Sequence, residues 1–226
     1  MRYENILRAK FIDRPNRFIA NIEIEGRNEV CHVKNTGRCK ELLLPGAELF
    51  VQEFDSLSRR TKYDLISVFK GDRLINMDSQ VPNKVFAEWA RDKGFFKDIR
   101  ILKPEQKYKN SRFDFYMEDG IKKIFVEVKG VTLEENGVAM FPDAPTERGL
   151  KHLNELASCI DDGYESYVVF IIQMKDVLHF TPNAKTDRIF AETLSKVRDK
   201  GVKILALDCE VTPDSITGIN LVDINL

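Results

Sequence analysis

The chain has 226 residues, of which 43% are hydrophobic and 31% are charged, and its formal net charge is −1. This composition excludes a disordered chain, and the length is long for one domain and comfortable for two. No apolar run approaches the ~18 residues that cross a bilayer, so no membrane partner is expected. The first residues, MRYENILRAKF, lack the apolar core of a secretory signal, so we expect a cytoplasmic protein.

The four cysteines indicate a reducing environment rather than a metal site. They are widely scattered and form no CxxC pair: Cys31, Cys39, Cys159 and Cys209. A zinc site that combines them with histidines does not fit the usual ligand spacings. We therefore expect buried free thiols.

Residues 1–78 are typical of short strands separated by turns. Two strands meet at residues 14–17, two more are VCHVKN and ELFVQEF, and a hairpin turned at Gly71 closes the segment. About five short strands in a unit of this length favour a compact β-barrel such as an OB-fold. Such barrels often bind oligonucleotides through basic and aromatic side chains.

One turn in this region has the composition of an anion site. The sequence NTGR, with Asn35, Thr36 and Arg38, offers backbone and side-chain donors together, and Lys40 follows closely. These residues could bind the phosphates of a nucleic acid. They could equally form a solvated surface, which charge alone favours, and a net charge near zero does not decide between the two.

After Ser79 the pattern changes to alternating helices and strands. Helices are predicted in NKVFAEWARDKG, TERGLKHLNELASCIDDG and DRIFAETLSKVRDKG. Strands are predicted in IRILKPEQKY, in a hairpin over residues 111–133, in SYVVFIIQ and in VKILALDCEV, of which SYVVFIIQ is typical of a strand buried on both faces. This order predicts an α/β domain over residues 79–226, with a mixed sheet flanked by helices.

Three charges interrupt the apolar hairpin, whose sequence is SRFDFYMEDGIKKIFVEVKGVTL. The dipeptide Asp119-Gly120 is a strong hairpin turn, so we expect it to form the loop. In that register Asp114 lies opposite Phe125 and diagonal to Glu127. Diagonal neighbours are about 7–8 Å apart, so the two carboxylates could reach one ion between them.

The period of two in a strand places Asp114, Glu127 and Lys129 on one face of the hairpin. The opposite face is then apolar and must be core: Phe113, Phe115, Met117, Ile124, Val126 and Val128. Two carboxylates this close repel, and a hard divalent cation such as Mg²⁺ would compensate them. Lys129 could then hold a water or neutralise charge on a phosphate. The alternative is a solvated face on which Lys129 pairs with Glu127 or Asp114.

This pattern resembles the core of the PD-(D/E)xK nuclease superfamily, with Asp114 followed by the ExK sequence at 127–129. Four longer stretches resemble the sugar fermentation stimulation protein A (SfsA) family: HVKNTGRCKELLLPG, SRFDFYM, VEVKGVTL and FPDAPTERGLKHLNEL. The resemblance implies an OB-like N-terminal domain, a nuclease-like C-terminal domain and DNA binding. The family name suggests a regulator of sugar metabolism genes.

The resemblance also implies roles for single residues. Asp114, Glu127 and the backbone carbonyl of Val128 would bind Mg²⁺ or Mn²⁺, and Lys129 would be the catalytic lysine. No organic cofactor is implied. Phe113 stands where the superfamily motif has proline, a position that varies among such nucleases.

Further candidates follow from their positions on the predicted elements. Glu88, on the first helix of the α/β domain, could be an additional metal ligand or an exposed helical residue. Arg148, Lys151 and His152 begin the second helix, whose N-terminus favours anions, so they could contact nucleic acid or form a polar helix face. Gln173 ends the apolar strand and could support the site from behind.

The sequence leaves two main functions open. One is a DNA-binding phosphodiesterase that needs a divalent cation. The other is a DNA-binding transcriptional regulator of sugar metabolism genes that keeps only the nuclease fold, and an interaction scaffold is a third reading. The expected partner is DNA, with RNA and the oligomeric state left open.

Overall fold

The computed structural model describes residues 1–35, 37, 39–56, 58–92 and 94–226. In this part of the chain the first six strands form one sheet: β1 (Ile6–Asn16), β2 (Ile19–Ile24), β3 (Arg27–His32), β4 (Glu48–Glu53), β5 (Tyr63–Lys70) and β6 (Arg73–Asn76). The remaining elements follow in chain order: α1 (Pro82–Asp92), β7 (Ile99–Tyr108), β8 (Ser111–Asp119), β9 (Lys122–Val131), β10 (Leu133–Glu135), β11 (Val138–Phe141), α2 (Glu147–Asp161), β12 (Glu165–Ile172), β13 (His179–Pro182), α3 (Arg188–Asp199), β14 (Lys203–Thr212) and β15 (Ser215–Leu221).

The first sheet closes into a five-stranded barrel. Its strand order is β3-β2-β1-β4-β5-β6, and β3 also pairs with β5 in parallel, through Cys31 with Tyr63 and His32 with Asp64. Alternate side chains point inward, as in the buried Ala20, Ile22 and Ile24 of β2, so each strand contributes one face to the barrel core. The predicted OB-like barrel is therefore confirmed, with β6 added as a hairpin extension.

The second large sheet is mixed and has helices on both faces. Its order is β15-β14-β12-β9-β8-β7, in which β9, β12 and β14 are parallel and the other pairings are antiparallel. Helix α1 packs on one face through Val85 and Phe86, and α2 packs on the other through Leu153 and Leu156. Because both faces are covered, β12 is buried almost throughout, as its apolar sequence predicts. The predicted mixed sheet flanked by helices is confirmed.

In the observed hairpin, each residue of β8 pairs with a residue of β9 that lies two positions further along the chain than predicted. Asp119 pairs with Lys122 and Phe115 pairs with Val126, so Gly120 and Ile121 form the loop instead of Asp119 and Gly120. The reason lies outside the hairpin: β7 pairs with the end of β8, and its flanking residue Asp98 donates its amide to the Asp119 carboxylate. Asp119 is thereby held in the ladder, and Gly120 begins the turn with a left-handed φ of 62°.

The expectation that Phe113 shares the face of Phe115 is wrong. Phe113 contacts the rings of Phe125 and His152, on the side of α2, whereas Phe115 contacts Phe86 of α1. The pairing of β8 with β9 ends at Phe115, and Glu105, opposite Asp114 in β7, has a left-handed φ of 52°. The local departure from regular strand geometry turns Phe113 to the other face.

A buried amide network joins the barrel to the second domain. The Gln173 side chain donates to the Asn76 carbonyl at 3.1 Å, to the Asn76 side-chain oxygen at 3.0 Å and to the Asp78 carbonyl at 3.1 Å. The backbone amide of Asn76 donates in return to the backbone carbonyl of Gln173 at 2.9 Å. Nearby, Lys34 lies 3.0 Å from Asp78 and 3.3 Å from the buried Asp64. These bonds fix how the two domains meet.

Other features agree with the composition of the chain. The four cysteine thiols are buried and free, as expected. Within the described residues, no helix is both long enough and apolar enough to cross a membrane.

Residues 1–3, which the sequence assigns to the barrel, lie against the second domain, where the Tyr3 amide donates to the Asp214 carbonyl at 2.8 Å.

Candidate active site

A cleft opens where β8 and β9 separate. Beyond the last pair, Phe115 with Val126, the Val128 amide donates to the Asp114 carboxylate at 2.8 Å instead of to a backbone carbonyl of β8. The cleft has a volume of about 300 Å³. Its walls are the start of α1, the diverging strands and the start of α2. It therefore lies at the edge of a rigid sheet with two helix starts beside it.

Glu127 is the buried centre of this cleft, with 3% of its surface exposed. Its Oε1 accepts from the Lys129 ammonium at 2.5 Å and contacts His152 Nδ1 on α2. Its Oε2 is buried and has no hydrogen-bond partner within the described part of the chain. A buried carboxylate oxygen without a partner costs free energy, so this atom is suited to bind a water or a cation.

Asp114 is held on the other side of the cleft. Its Oδ1 accepts from the Asn83 side chain on α1 at 2.9 Å, and its Oδ2 accepts from the Val128 amide. Burial raises the pKa of Asp114, and the negative charge of Glu127 raises it further, against these two hydrogen bonds. The ionised pair is therefore under repulsion that a cation would relieve.

Glu127 has the opposite electrostatic balance. Burial alone would raise its pKa, but the hydrogen bond with His152 and the charge of Lys129 outweigh burial and hold the pKa below its usual value. Glu127 is therefore kept as an anion although it is buried. Glu127 is thus stabilised in its charged form, and its negative charge disfavours the ionisation of Asp114.

The donor set fits a hard divalent cation. Two carboxylates converge, one with an unpartnered buried oxygen, and oxygen ligands are those that Mg²⁺ and Mn²⁺ prefer. The N–H and C=O of a strand residue point to the same side, so the Val128 carbonyl also faces β8. Among the described residues no three or more His, Cys, Asp or Glu side chains are grouped as metal ligands. A cation here would thus keep several waters, which is usual for Mg²⁺.

The structure brings together all three predicted catalytic residues, the predicted Val128 ligand and one predicted nucleic-acid contact. Asp114, Glu127, Val128 and Lys129 line the cleft, and the exposed Arg148 lines it at the start of α2. The changed register, continued one step beyond its last pair of Phe115 with Val126, puts Asp114 across from Glu127 rather than diagonal to it. Lys129 pairs with Glu127 as the alternative interpretation requires, but Glu127 is buried, so the face is not simply solvated.

Glu88 does not line the cleft, and its position fits the alternative of an exposed helical residue. Its side chain is 52% exposed and pairs with the Met1 ammonium at 2.6 Å. Helix phase explains this position, because Val85, Phe86 and Trp89 occupy the buried face of α1. The residue of α1 that does reach the site is Asn83, which sequence reasoning missed.

The other predicted residues have different surroundings. His152 is buried against Glu127, so it supports the carboxylate and is not a surface contact for nucleic acid. Lys151 is exposed and donates to the Asn110 carbonyl at 3.1 Å. Gln173 lies at the domain junction described above. The sequence did contain a signal that His152 is buried, because His152 directly precedes Leu153 on the apolar stripe of α2.

The predicted NTGR turn is only partly described. Asn35 accepts from the Gly37 amide at 2.8 Å through its side chain, and Lys40 is exposed. A Cβ on Gly37 would lie 2.5 Å from the Asp143 carboxylate, so the turn is close to the second domain. Thr36 and Arg38 lie outside the described residues.

The fold and the cleft define a two-domain protein in which an OB domain is joined to a mixed α/β domain with paired carboxylates at a strand edge. Residues 12–77 match the SfsA N-terminal OB domain, and residues 80–215 match the Sugar fermentation stimulation protein RE domain. The chain belongs to the sugar fermentation stimulation protein (SfsA) family.

Relatives of the same length share this assignment. The chain is 63% identical over 226 residues to the sugar fermentation stimulation protein homolog of Desulfitobacterium hafniense (strain DSM 10664 / DCB-2), covering 100% of this chain and 99% of that protein. It is 61% identical to the homolog of Clostridium beijerinckii, with 100% of both chains covered. A solved structure, Pyrococcus furiosus SfsA in complex with Ca²⁺, is 29% identical, with a TM-score of 0.90 over 100% of this chain and 98% of that one.

Proposed function

We propose that the protein is a cytoplasmic, DNA-binding phosphodiesterase that depends on a divalent cation. The observation that carries this proposal is the buried, unpartnered Oε2 of Glu127, held beside Asp114 and next to the Lys129 ammonium. A binding surface alone does not require a carboxylate oxygen that is buried and left without a donor. The related Pyrococcus furiosus protein, whose structure was solved in complex with Ca²⁺, supports an oxygen-ligand cation site in this fold.

Each residue of the cleft has a separate task in this proposal. Asp114, Glu127 and the Val128 carbonyl hold Mg²⁺ or Mn²⁺. When bound, such a cation supplies Lewis acidity to a phosphodiester and makes water a better nucleophile. Lys129, fixed by its ion pair with Glu127, orients that water and stabilises negative charge that grows on the phosphate. Arg148, exposed at the rim, attracts the strand backbone.

The barrel supplies the second part of the nucleic-acid surface. Asn35 and Lys40 lie on the loop that approaches the second domain, and Thr36 and Arg38 are proposed with them from their sequence. DNA is the expected partner, and RNA is tested beside it.

A second candidate is a DNA-binding regulator that does not cut. The ion pair between Lys129 and Glu127 favours it, because this pair gives both residues a structural partner without any reaction. The two candidates differ in whether cutting can be observed.

The deciding experiment incubates the purified protein with linear, supercoiled, single-stranded and branched DNA, and with RNA, in Mg²⁺ or Mn²⁺. We expect cutting that requires the cation, disappears in Glu127→Ala, and persists in Glu135→Ala, which removes an exposed carboxylate from β10. Salt-sensitive binding without cutting on every substrate would leave the regulator as the function.

His152 provides a separate test of the cation site. Replacing it with leucine removes the donor that orients Glu127, and we expect affinity for Mn²⁺ to fall about 10–100-fold, the usual effect of losing a residue that positions a ligand. In His152→Asn the side-chain amide can take the place of Nδ1, so most of the affinity should remain. Titration calorimetry measures both variants, after thermal unfolding without cation has shown that they fold. Equal losses in both would argue against this role.

A further inference from the structure

A second cavity lies next to the cleft, at the junction of the two domains. Its volume is about 120 Å³, and Ser79 and Gly130 line both it and the cleft. The barrel contributes Asn35, and the second domain contributes most of the remaining wall. A strand whose phosphate lies beside Lys129 could therefore extend directly into this space, because Gly130 is the next residue of β9.

The wall combines an aromatic side with fixed acceptors. Phe141 lines the cavity and is held by ring contacts with Phe170 at 5.5 Å and Phe190 at 5.3 Å. Gln173 is 1% exposed, and its side-chain nitrogen donates its two N–H groups to three nearby acceptors, which fixes the amide so that Oε1 lies toward Gly130. A Cβ on Gly130 would come within 2.6 Å of this oxygen, so the close approach requires glycine.

The cavity and the cleft differ in the charges that line them, so they favour different chemical groups of a nucleic acid. Among the described residues, the charged side chain that lines the cavity is Asp143, whereas the cleft is lined by two cations, Lys129 and Arg148, together with the carboxylates of Asp114 and Glu127. A phosphate would be repelled by Asp143 in the cavity, whereas in the cleft Lys129 and Arg148 offset the two carboxylates and can contact it. A planar group with N–H donors has the opposite preference, because Asp143 and Gln173 can accept from it while Phe141 and Met140 cover its apolar surface.

We propose that this cavity receives one nucleobase of the strand whose phosphate lies in the cleft. The proposal rests on the nucleic-acid function proposed above and specifies its substrate class: a strand with at least one unpaired nucleotide next to the reacting phosphate. A base inside a duplex is stacked and paired and cannot enter a cavity of this size without leaving the helix. Single-stranded, frayed or flapped nucleic acid meets this requirement, and an intact duplex does not.

The test measures binding in EDTA, so that it does not depend on cutting. Fluorescence anisotropy compares a short oligodeoxythymidylate with an abasic strand of the same length, on the unaltered protein. We expect about tenfold tighter binding of the strand with bases, in line with the contribution of one stacked base. Equal affinity for both strands would overturn the proposal, because the phosphates alone would then account for binding.

A cavity-filling variant locates the effect. In Thr132→Phe an aromatic ring occupies the space, so the base-bearing strand should weaken to the level of the abasic strand, whose affinity should not change. Thr217→Phe, on the exposed face of β15, is the matched control and should behave as the unaltered protein. If Thr132→Phe keeps the tenfold difference while folding normally, the base is bound elsewhere and the proposal is wrong.

Cutting is assayed separately in Mn²⁺, so the two proposals can fail independently. Base-dependent binding that Thr132→Phe removes, without any cutting, would retain the cavity and reject the phosphodiesterase. Cutting that is equally fast on intact duplex and on single strands would retain the enzyme and reject the cavity.

Discussion

Replacing Lys129 with methionine is expected to lower the rate of cation-dependent cutting by about 10²–10³-fold, the usual effect of removing one group that stabilises transition-state charge. The same change should leave affinity for Mn²⁺ unchanged or increase it. Lys129 pairs with Glu127, so its removal takes a positive charge away from the proposed cation site and leaves both carboxylates in place. Single-turnover cutting rates and titration calorimetry measure the two effects.

The matched control for this prediction is Lys151→Met. It removes the same charge from α2, where the ammonium donates to the Asn110 carbonyl and does not contact the carboxylate pair. We expect weaker nucleic-acid binding at most, with a smaller salt dependence, and an unchanged cutting rate at saturating substrate. If Lys129→Met and Lys151→Met slow cutting equally, Lys129 acts only as a general positive charge.

With the exception of Phe113, the faces of the central hairpin could be predicted more reliably than its register. Local turn chemistry favours Asp119-Gly120, but β7 and Asp98 hold Asp119 in the ladder from the other side. The error of two residues preserves the period of two, so Asp114 and Glu127 still converge on one cleft. A shift of one residue would have separated them. The predicted grouping of Asp114 and Glu127 is therefore unaffected by the wrong register, because it depends only on whether the shift is an even number of residues.

The partners of the two carboxylates could not be predicted from the hairpin alone. His152 and Asn83 come from helices that pack on opposite faces of the sheet, and only the tertiary arrangement brings them to Glu127 and Asp114. Helix periodicity indicates which face is buried, but it does not say which strand residue that face meets. Glu88 could not be placed for the same reason, since its pairing with Met1 depends on where the N-terminus lies.

Long elements with one clear pattern were predictable, and short ones were not. The sequence identifies β12, β14 and the three helices, because burial on both faces or on one stripe leaves a strong pattern. The small sheet of β10, β11 and β13 has strands of only three or four residues, too few for a period to be recognised. Its position matters for the proposed base-binding cavity, because β11 forms part of the cavity wall.

The two carboxylates of the cleft are expected to affect stability in opposite directions. Asp114→Asn should leave the free energy of unfolding without cation unchanged or higher, because burial and the charge of Glu127 both disfavour the ionised Asp114. The new amide oxygen can still accept from Val128, and the new amide N–H can donate to the Asn83 side-chain oxygen once that amide turns over. Glu127→Gln should lower it by about 3 kcal/mol, because a buried ion pair loses one partner. Urea unfolding at neutral pH in EDTA measures both.

Adding Mn²⁺ completes the comparison. A cation that binds only the folded state raises the stability of the unaltered protein, and each variant should lose this increase because it lacks one carboxylate ligand. The stable Asp114→Asn variant is then the decisive one: it separates loss of the cation site from loss of the fold, which Glu127→Gln cannot do.

If Asp114→Asn is destabilised as much as Glu127→Gln, the Asp114 carboxylate is mainly an anchor for the Val128 amide. If it retains the full increase in Mn²⁺, the cation lies elsewhere. Only a gain or no loss of stability without cation, combined with loss of the increase, identifies Asp114 as a ligand held in place against repulsion.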